Sequence, residues 1–479
     1  MGTDQPITIP LTFNQSLCVQ ASSEPFSSHV GSLLLRQLDD RLGLTAWLAN
    51  NVYDPRLHEM CLHTTQELLR TRLYFLALAL VWQDQSDRLR DDRVLRLATS
   101  DRPRLASLQG PSLPSQPTLS RMTQWLAFDS NLELLRHAPF EFARRKLKAR
   151  RKTKLEQVTL DIDSFPIKAH GQQPGSANNG HYHMRCFHPL IAMISETADI
   201  VASRLRPGNV HTAEGVVDFL LPIVDQVEQE LARVAFIRGD AGFPDDKLLT
   251  ELEQRGIGYV FRISSYAPLQ RLAEPQLKRP VGRPPTRPRE WCCEHSYKAK
   301  EWKAERRVIL VVTEKSGKVD LDYFFLVTNF SAEDFEGERV LGWYRQRGTF
   351  EGHIGEFNCL NPHLSSSPRA KSHYRGKVPQ VFSASIDSKK ANEATFLLYI
   401  LAYNLLNGVR ELLNRRRQRG GTDSGWSIGR ILVSVLLVAG KLTVSGGRIK
   451  VEINRSVAAL WDKLLRSLEK LKARKVDSS

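Results

Sequence analysis

The chain has 479 residues, with 68 Lys and Arg against 52 Asp and Glu, a net charge of +16. A chain of that length exceeds one hydrophobic core, so about two to four domains are expected. Hydrophobic content of 41% and charged content of 25% are ordinary for a folded soluble protein, and the basic excess points to a polyanion, most often nucleic acid. The six cysteines (Cys18, Cys61, Cys186, Cys292, Cys293, Cys359) show no pattern of a secreted disulfide scaffold. Cys292-Cys293-Glu294-His295 lacks a second CxxC or HxxxH partner, so free thiols are expected there rather than zinc. The N-terminus has no basic region followed by an apolar run. The apolar runs Leu73–Trp82 and Ile431–Ala439 are too short to span a bilayer. A cytoplasmic protein without membrane contact is the expectation.

Residues 1–155 read as mostly helical. "GSLLLRQLDDRLGLTAWLANN" and "LHEMCLHTTQELLRTRLYFLALALVWQ" place apolar residues at helical spacing. "SQPTLSRMTQWLAF" follows with Ser115 or Thr118 as its cap. The region closes on "RRKLKARRKTK", a solvated basic face or a phosphate contact, carried by Arg144, Arg145, Lys146, Lys148, Arg150, Arg151 and Lys152.

Residues 156–262 switch pattern. In "EQVTLDIDSF", Val158, Leu160 and Ile162 alternate with Thr159, Asp161 and Asp163, which predicts a strand. "FHPLIAMISE" and "DIVASRLR" predict two more strands around a turn near Thr197. A helix, the strand "RVAFIRGD", a second helix and the strand "IGYVFRI" follow. That order predicts an α/β fold with a mixed sheet flanked by helices.

Residues 263–335 read as a β-rich insertion. "QLKRPVGRPPTRPRE" holds too many prolines for a helix or a central strand. Two apolar runs after it predict a hairpin. Residues 336–415 hold "WYRQRGTFEGHIGEFN", expected as a helix, and the apolar helix "ATFLLYILAYNLLNGVRELLN". Residues 416–479 predict a small α+β region with a hairpin turning at Gly446-Gly447. No internal repeat is present.

Two carboxylates stand out first. Asp161 and Asp163 are two apart on a strand and share one face. They mark either the wet face of an edge strand or a divalent-cation site, because unpaired buried carboxylates are costly. Asp240 directly follows an apolar strand, where ligands collect in open α/β sheets. It also fits a simple turn aspartate before Gly242.

On a helical wheel with Tyr344 at zero, Arg347, Glu351 and Asn358 fall at roughly 300°, 340° and 320°. Glu356 falls well off that stripe, at roughly 120°. Each glycine of this helix costs about 1 kcal/mol relative to Ala, which close approach of a DNA backbone would explain. Two Asp and one Glu from separate elements around one sheet are hard oxygen donors suited to Mg²⁺ or Mn²⁺.

This order of elements resembles the RNase H-like DDE transposases of bacterial insertion sequences. The spacing Tyr344, Arg347, Glu351 resembles the signature of their IS4-like group, with Asn358 in place of its lysine. More narrowly, "TLDIDSFPIKAHGQQPGSANNGHYHMRCFHPLI", "RLRPGNVHTAEG", "FIRGDAGF", "VTNF" and "LLYILAYNLLN" resemble the insertion-sequence group 1380. The resemblance implies a cut-and-paste transposase with Asp163, Asp240 and Glu351 as catalytic triad and Asp161 as a supporting metal ligand. It implies two Mg²⁺ or Mn²⁺ ions per site, and Tyr344, Arg347 and Asn358 beside the terminal phosphate. Double-stranded DNA is the implied partner, bound at its terminal inverted repeats by the N-terminal helices. A homodimer is implied because two ends must be held together. Pro280–Pro285 resembles an AT-hook core with Val281 in place of an arginine, which makes Arg279 and Arg283 minor-groove candidates.

Overall fold

The computed structural model describes residues 25–150, 155–169, 173–282, 285–360, 362, 364, 389–414 and 425–471. Leu34, Leu35, Leu38 and Leu42 are buried along one face of helix α1 (Ser32–Leu42), just after the short strand β1 (Phe26–Ser27). Gly43, at φ +66, ends α1 and starts α2 (Leu44–Asn51), a conformation that favours glycine. A capping box of Thr64 and Glu67 starts α3 (Thr65–Ala77). Then come α4 (Gln85–Arg88), α5 (Arg93–Thr99), α6 (Ala106–Gln109), α7 (Gln116–Leu126) and α8 (Asp129–Ala149). Ser115 stands at the N-cap of α7, but its hydroxyl meets the Thr118 hydroxyl at 3.0 Å and no helix N–H.

The central region follows the expected order. Strand β2 (Gln157–Ser164) leads to the short strands β3 (Ile167–Lys168), β4 (Ala177–Asn179) and β5 (Met184–Phe187). Strands β6 (Leu190–Ile194) and β7 (Asp199–Arg204) turn at Thr197-Ala198. Helix α9 (Val216–Glu230), strand β8 (Arg233–Gly239), helix α10 (Asp246–Gln254), strand β9 (Gly258–Ile263) and helix α11 (Ala267–Ala273) complete it. Asp245 caps α10 by accepting the Leu248 N–H at 2.8 Å.

The β-rich stretch joins the central sheet. Its strands β10 (Arg289–Tyr297), β11 (Arg306–Glu314) and β12 (Asp322–Thr328) extend the central sheet, because β12 pairs antiparallel with β9. Pairing there covers an edge that would otherwise expose backbone donors and acceptors. One eight-stranded sheet results, in the order β10-β11-β12-β9-β8-β2-β6-β7. β2, β8 and β9 run parallel and their outer neighbours antiparallel, so the sheet is mixed.

Val158, Leu160 and Ile162 of β2 pack with residues of α9 and α10 on one side of the sheet. Thr159, Asp161 and Asp163 therefore point to the other. That second face carries α12 (Gly337–Arg345) against Val260, Ile309, Val311 and Leu326. The expected single helix is interrupted at Gln346, and α13 (Arg347–Phe357) follows directly.

A long helix, Lys389–Asn414, runs through the largest core with α1, α3 and α8. It is long and apolar enough to cross a bilayer by length and composition, yet nearly all of it is buried inside the protein. It escaped the membrane test above because Asn404 and Asn407 interrupt its apolar run. These side chains bond the Ile200 backbone and the Thr197 carbonyl.

The C-terminal hairpin β13 (Gly440–Ser445) and β14 (Arg448–Ile453) turns at Gly446 and Gly447, both at positive φ. Pairing of β1 with β13 joins the two terminal regions. The helical N-terminal region and the C-terminal region thus share one core instead of standing apart. A final helix, Arg455–Glu469, closes the described chain.

Candidate active site

The parallel register of β2 and β8 sets the site. Asp161 lies beside Arg238, so two residues further on, Asp163 and Asp240 leave the C-terminal ends of adjacent strands. Ligands gather at such ends in open α/β sheets. Each carboxylate accepts the next backbone N–H, from Ser164 at 2.8 Å and from Ala241 at 2.7 Å.

Arg347 opens α13 and is buried. Its guanidinium donates to the Asp163 Oδ2 at 2.8 Å and to the Glu351 Oε1 at 2.5 Å. The helix thereby brings Glu351 to the strand ends. The Glu351 side chain is 62% exposed and that of Asp163 is 15% exposed.

Burial pushes the Asp163 carboxyl up to about 6. Arg347 and the Ser164 N–H oppose that rise, while Asp240 and Glu351 add to it by like-charge repulsion. The Tyr344 phenol is pushed up to about 12, first by burial and then by Asp240 and Glu351, against Arg347 and Arg262. Arg347 is desolvated, yet Asp163, Tyr344, Asp240 and Glu351 keep it above its ordinary value. The five groups therefore share one field.

Among the described residues, no three His, Cys, Asp or Glu side chains stand together as a metal-ready cluster. Arg347 supplies the positive charge between Asp163 and Glu351 in its place. The donor chemistry still fits a divalent cation. Carboxylates are hard oxygen donors, and the like-charge repulsion that Asp240 and Glu351 exert on Asp163 would be relieved by added positive charge.

A pH dependence follows. The folded pKa of Asp163 lies above its ordinary 3.8, so the fold favours the protonated form. Its stabilising share is full below about 4 and is lost as pH rises through about 6. Cation binding needs the carboxylate and runs the other way. The rise in melting temperature with Mn²⁺ is expected to be small at about pH 5 and large at about pH 7.5. An equal rise at both would show that Asp163 does not hold the ion.

Other expectations need correction. Asp161 is 1% exposed, and both its oxygens are bound by Arg238, at 2.7 and 2.9 Å. It is held in a buried ion pair. The basic run is largely turned inward. Arg145 bonds Glu141 and the Leu42 and Gly43 carbonyls, and Arg144 pairs with Glu141. Lys146 is buried against Asp199 at 2.6 Å, and Arg150 pairs with Glu411. Arg145 and Lys146 are buried and serve the fold, because a buried cation needs an acceptor, while Arg144 and Arg150 are part-exposed and paired. Lys148 remains exposed. Arg151 and Lys152 lie outside the described residues, as does Arg283. Arg279 donates to the Lys318 and Val319 carbonyls in the β11–β12 turn. Asn358 is exposed at the end of α13.

Glu356, off the stripe of Arg347 and Glu351, has a structural role. It accepts from Arg410 of the long helix and from the Ile428 N–H at 3.3 Å, with His353 at 3.0 Å. Arg410 continues to Asn407, Asn407 to Asp199, and Asp199 to Lys146 of α8. This buried chain of bonds fixes the helix that carries Glu351.

Gly348, Gly352 and Gly355 of α13 are exposed, and a Cβ on any of them meets nothing within 4 Å. Packing does not require them. Alanine at Gly352 or Gly355 is expected to raise stability by about 0.5–1 kcal/mol, read from urea unfolding. A loss of stability would show a constraint absent from the fold.

Sequence reasoning missed Arg238, which grips Asp161, the Trp343 carbonyl, Gln346 and Ser195. Its signal was present, as an arginine inside the apolar strand "AFIRG".

A solved structure similar to this chain is the piggyBac transposase synaptic complex with hairpin DNA, at 12% identity and a TM-score of 0.39. The likeness covers 84% of this chain and 79% of that one. No curated protein matches the chain. The family model described as transposase DDE domain group 1 matches residues 9–375, a span that includes Asp163, Asp240 and Glu351. The chain belongs to the DDE transposases.

Proposed function

We propose that this transposase is a cut-and-paste enzyme of the insertion-sequence group 1380 type, built on an RNase H-like core. It cleaves double-stranded DNA at the terminal inverted repeats of its element and joins the freed ends to target DNA. The observation that carries this reading is the meeting of Asp163, Asp240, Glu351 and Arg347 at the C-terminal ends of β2 and β8.

Asp163, Asp240 and Glu351 are the residues to hold two divalent cations, Mg²⁺ or Mn²⁺. Bound there, such ions would stabilise the attacking and leaving oxygens of a phosphodiester. Arg347 keeps Asp163 and Glu351 close and is placed to meet a phosphate of the DNA. Guanidinium suits both partners through its fork of donors. Tyr344 stays a neutral hydrogen-bond donor beside it, because burial and two carboxylates disfavour its ionised form. Asn358 offers an uncharged contact where a lysine would add charge. Lys148 and the N-terminal helices face the terminal repeat, and two copies hold the two ends. The place of action is the cytoplasm, on the nucleoid.

The test uses pre-cut and uncut duplexes carrying the element's own terminus, with full-length protein and Mg²⁺ or Mn²⁺. Cleaved ends and joined product are both expected. Cleavage without joining marks a nuclease of the same fold and overturns the transposition reading.

A further inference from the structure

We infer that Tyr182 is a DNA-positioning residue of the active site, its ring stacking on the base next to the scissile phosphate. The inference rests on the reading of Asp163 and Asp240 given above and adds a residue to it.

The segment Asn179-Gly180-His181-Tyr182-His183 is the tip of the β4–β5 hairpin, whose pairing ends at Asn179 and Met184. The tip is built rather than loose. The Asn179 Oδ1 accepts the backbone N–H of His181 at 2.9 Å and of Tyr182 at 3.1 Å. Its Nδ2 donates to the Gly208 carbonyl at 2.6 Å. His183 turns the chain at φ +50, a conformation that side chains rarely adopt without cause.

The hairpin is also tied to the catalytic strand. β5 pairs with β3 through Ile167 and Phe187, and the Ala169 N–H donates to the Arg185 carbonyl at 3.0 Å. β3 begins four residues after Asp163. The tip therefore hangs from the chain that leaves the site.

The Tyr182 ring is held edge-on between two imidazoles, His181 at 4.8 Å and His188 at 6.1 Å between centroids. It is nevertheless 39% exposed. Its phenol lies in the field of Asp163 and Asp240, which, after burial, keep it protonated. A rigid aromatic ring, fixed on a pinned turn that is tied to the strand following Asp163, keeps part of its surface open to a further ring. A nucleobase supplies one. Base–aromatic stacking needs only a π-face, so it suits an enzyme that must hold an end at a fixed place. His181 and His183 stand exposed on either side.

The experiment places 2-aminopurine at the base beside the cleavage point of a pre-cut terminal duplex, bound by full-length protein. Wild type and Tyr182→Phe are expected to quench it equally. Tyr182→Ala and Tyr182→Leu are expected to lose the quench and to weaken end binding about 10-fold. Quenching by Tyr182→Leu as strong as wild type overturns the inference. Loss of the quench in Tyr182→Phe also overturns it, since the ring is retained. Asp163→Asn separates the two readings. It is expected to abolish cleavage and keep the quench, and persistent cleavage would sink the catalytic assignment while leaving the stack standing.

Discussion

Replacing Asp163, Asp240 or Glu351 singly by the matching amide lowers DNA cleavage and joining by about 10³-fold, several kcal/mol of transition-state stabilisation per ligand lost. The three differ in how much else they do, and that makes the series informative. Glu351 is mostly exposed and is held by Arg347, so Glu351→Gln leaves the fold intact. Asp163 is part-buried among like charges, so Asp163→Asn is expected to raise the melting temperature of the cation-free protein while removing activity. A site that gains stability when it loses a carboxylate carries a cost that only its function explains. Gel-based cleavage and joining assays alongside melting curves check both halves. Glu351→Gln with unchanged Mg²⁺-dependent cleavage removes Glu351 from the site. Glu356→Gln is the contrast within the same helix. It breaks the bond to Arg410 and destabilises α13, so its effect should show in the melt as well as in the rate.

Much of this site was legible because strand geometry is nearly rigid. Alternation in "TLDIDS" put Asp161 and Asp163 on one face, and the β2–β8 register then delivers Asp240 to the same end. Spacing of four put Arg347 beside Glu351, and the structure pairs them. What failed was inference across elements. The wheel that placed Tyr344 and Glu351 on one stripe assumed an unbroken helix; the helix is interrupted at Gln346, yet both groups still act on one another in the site. Glu356, off that stripe, finds Arg410 from a helix that sequence order does not bring near. The basic run "RRKLKARRKTK" was read as one surface, yet α8 turns Arg145 and Lys146 toward acids on other elements. A charge pattern names what a side chain needs and does not say whether protein or solvent supplies it. The β-rich stretch shows the same limit. Its strands were visible, while their attachment to β9 depends on an open edge that only the assembled sheet has.

Asp161→Asn is expected to destabilise the protein by about 3–5 kcal/mol, the cost of leaving a buried charge without its partner. Arg238 is 1% exposed and cannot reach water when Asp161 is gone. Its other partners are the Trp343 carbonyl at 2.9 Å, Gln346 at 3.3 Å and the Ser195 hydroxyl at 2.7 Å, all neutral, with the Trp343 ring centred 5.0 Å away. None of them carries the countercharge, so the loss falls on the fold. Gln346 is also the joint between α12 and α13, next to Arg347. Activity should therefore fall with stability, and activity alone does not separate Asp161 from Asp163. The cation titration does. If Asp161 acts only through Arg238, the Mn²⁺ concentration giving half-maximal cleavage stays as in wild type, while the melting temperature drops. Asp163→Asn gives the reverse pattern, with a stable protein and no cation response in the melt. Replacing both Asp161 and Arg238 by apolar residues of similar volume should recover most of the lost stability, since removing a whole buried pair is often neutral. A shifted Mn²⁺ requirement in Asp161→Asn, with an unchanged melt, would return Asp161 to the metal site.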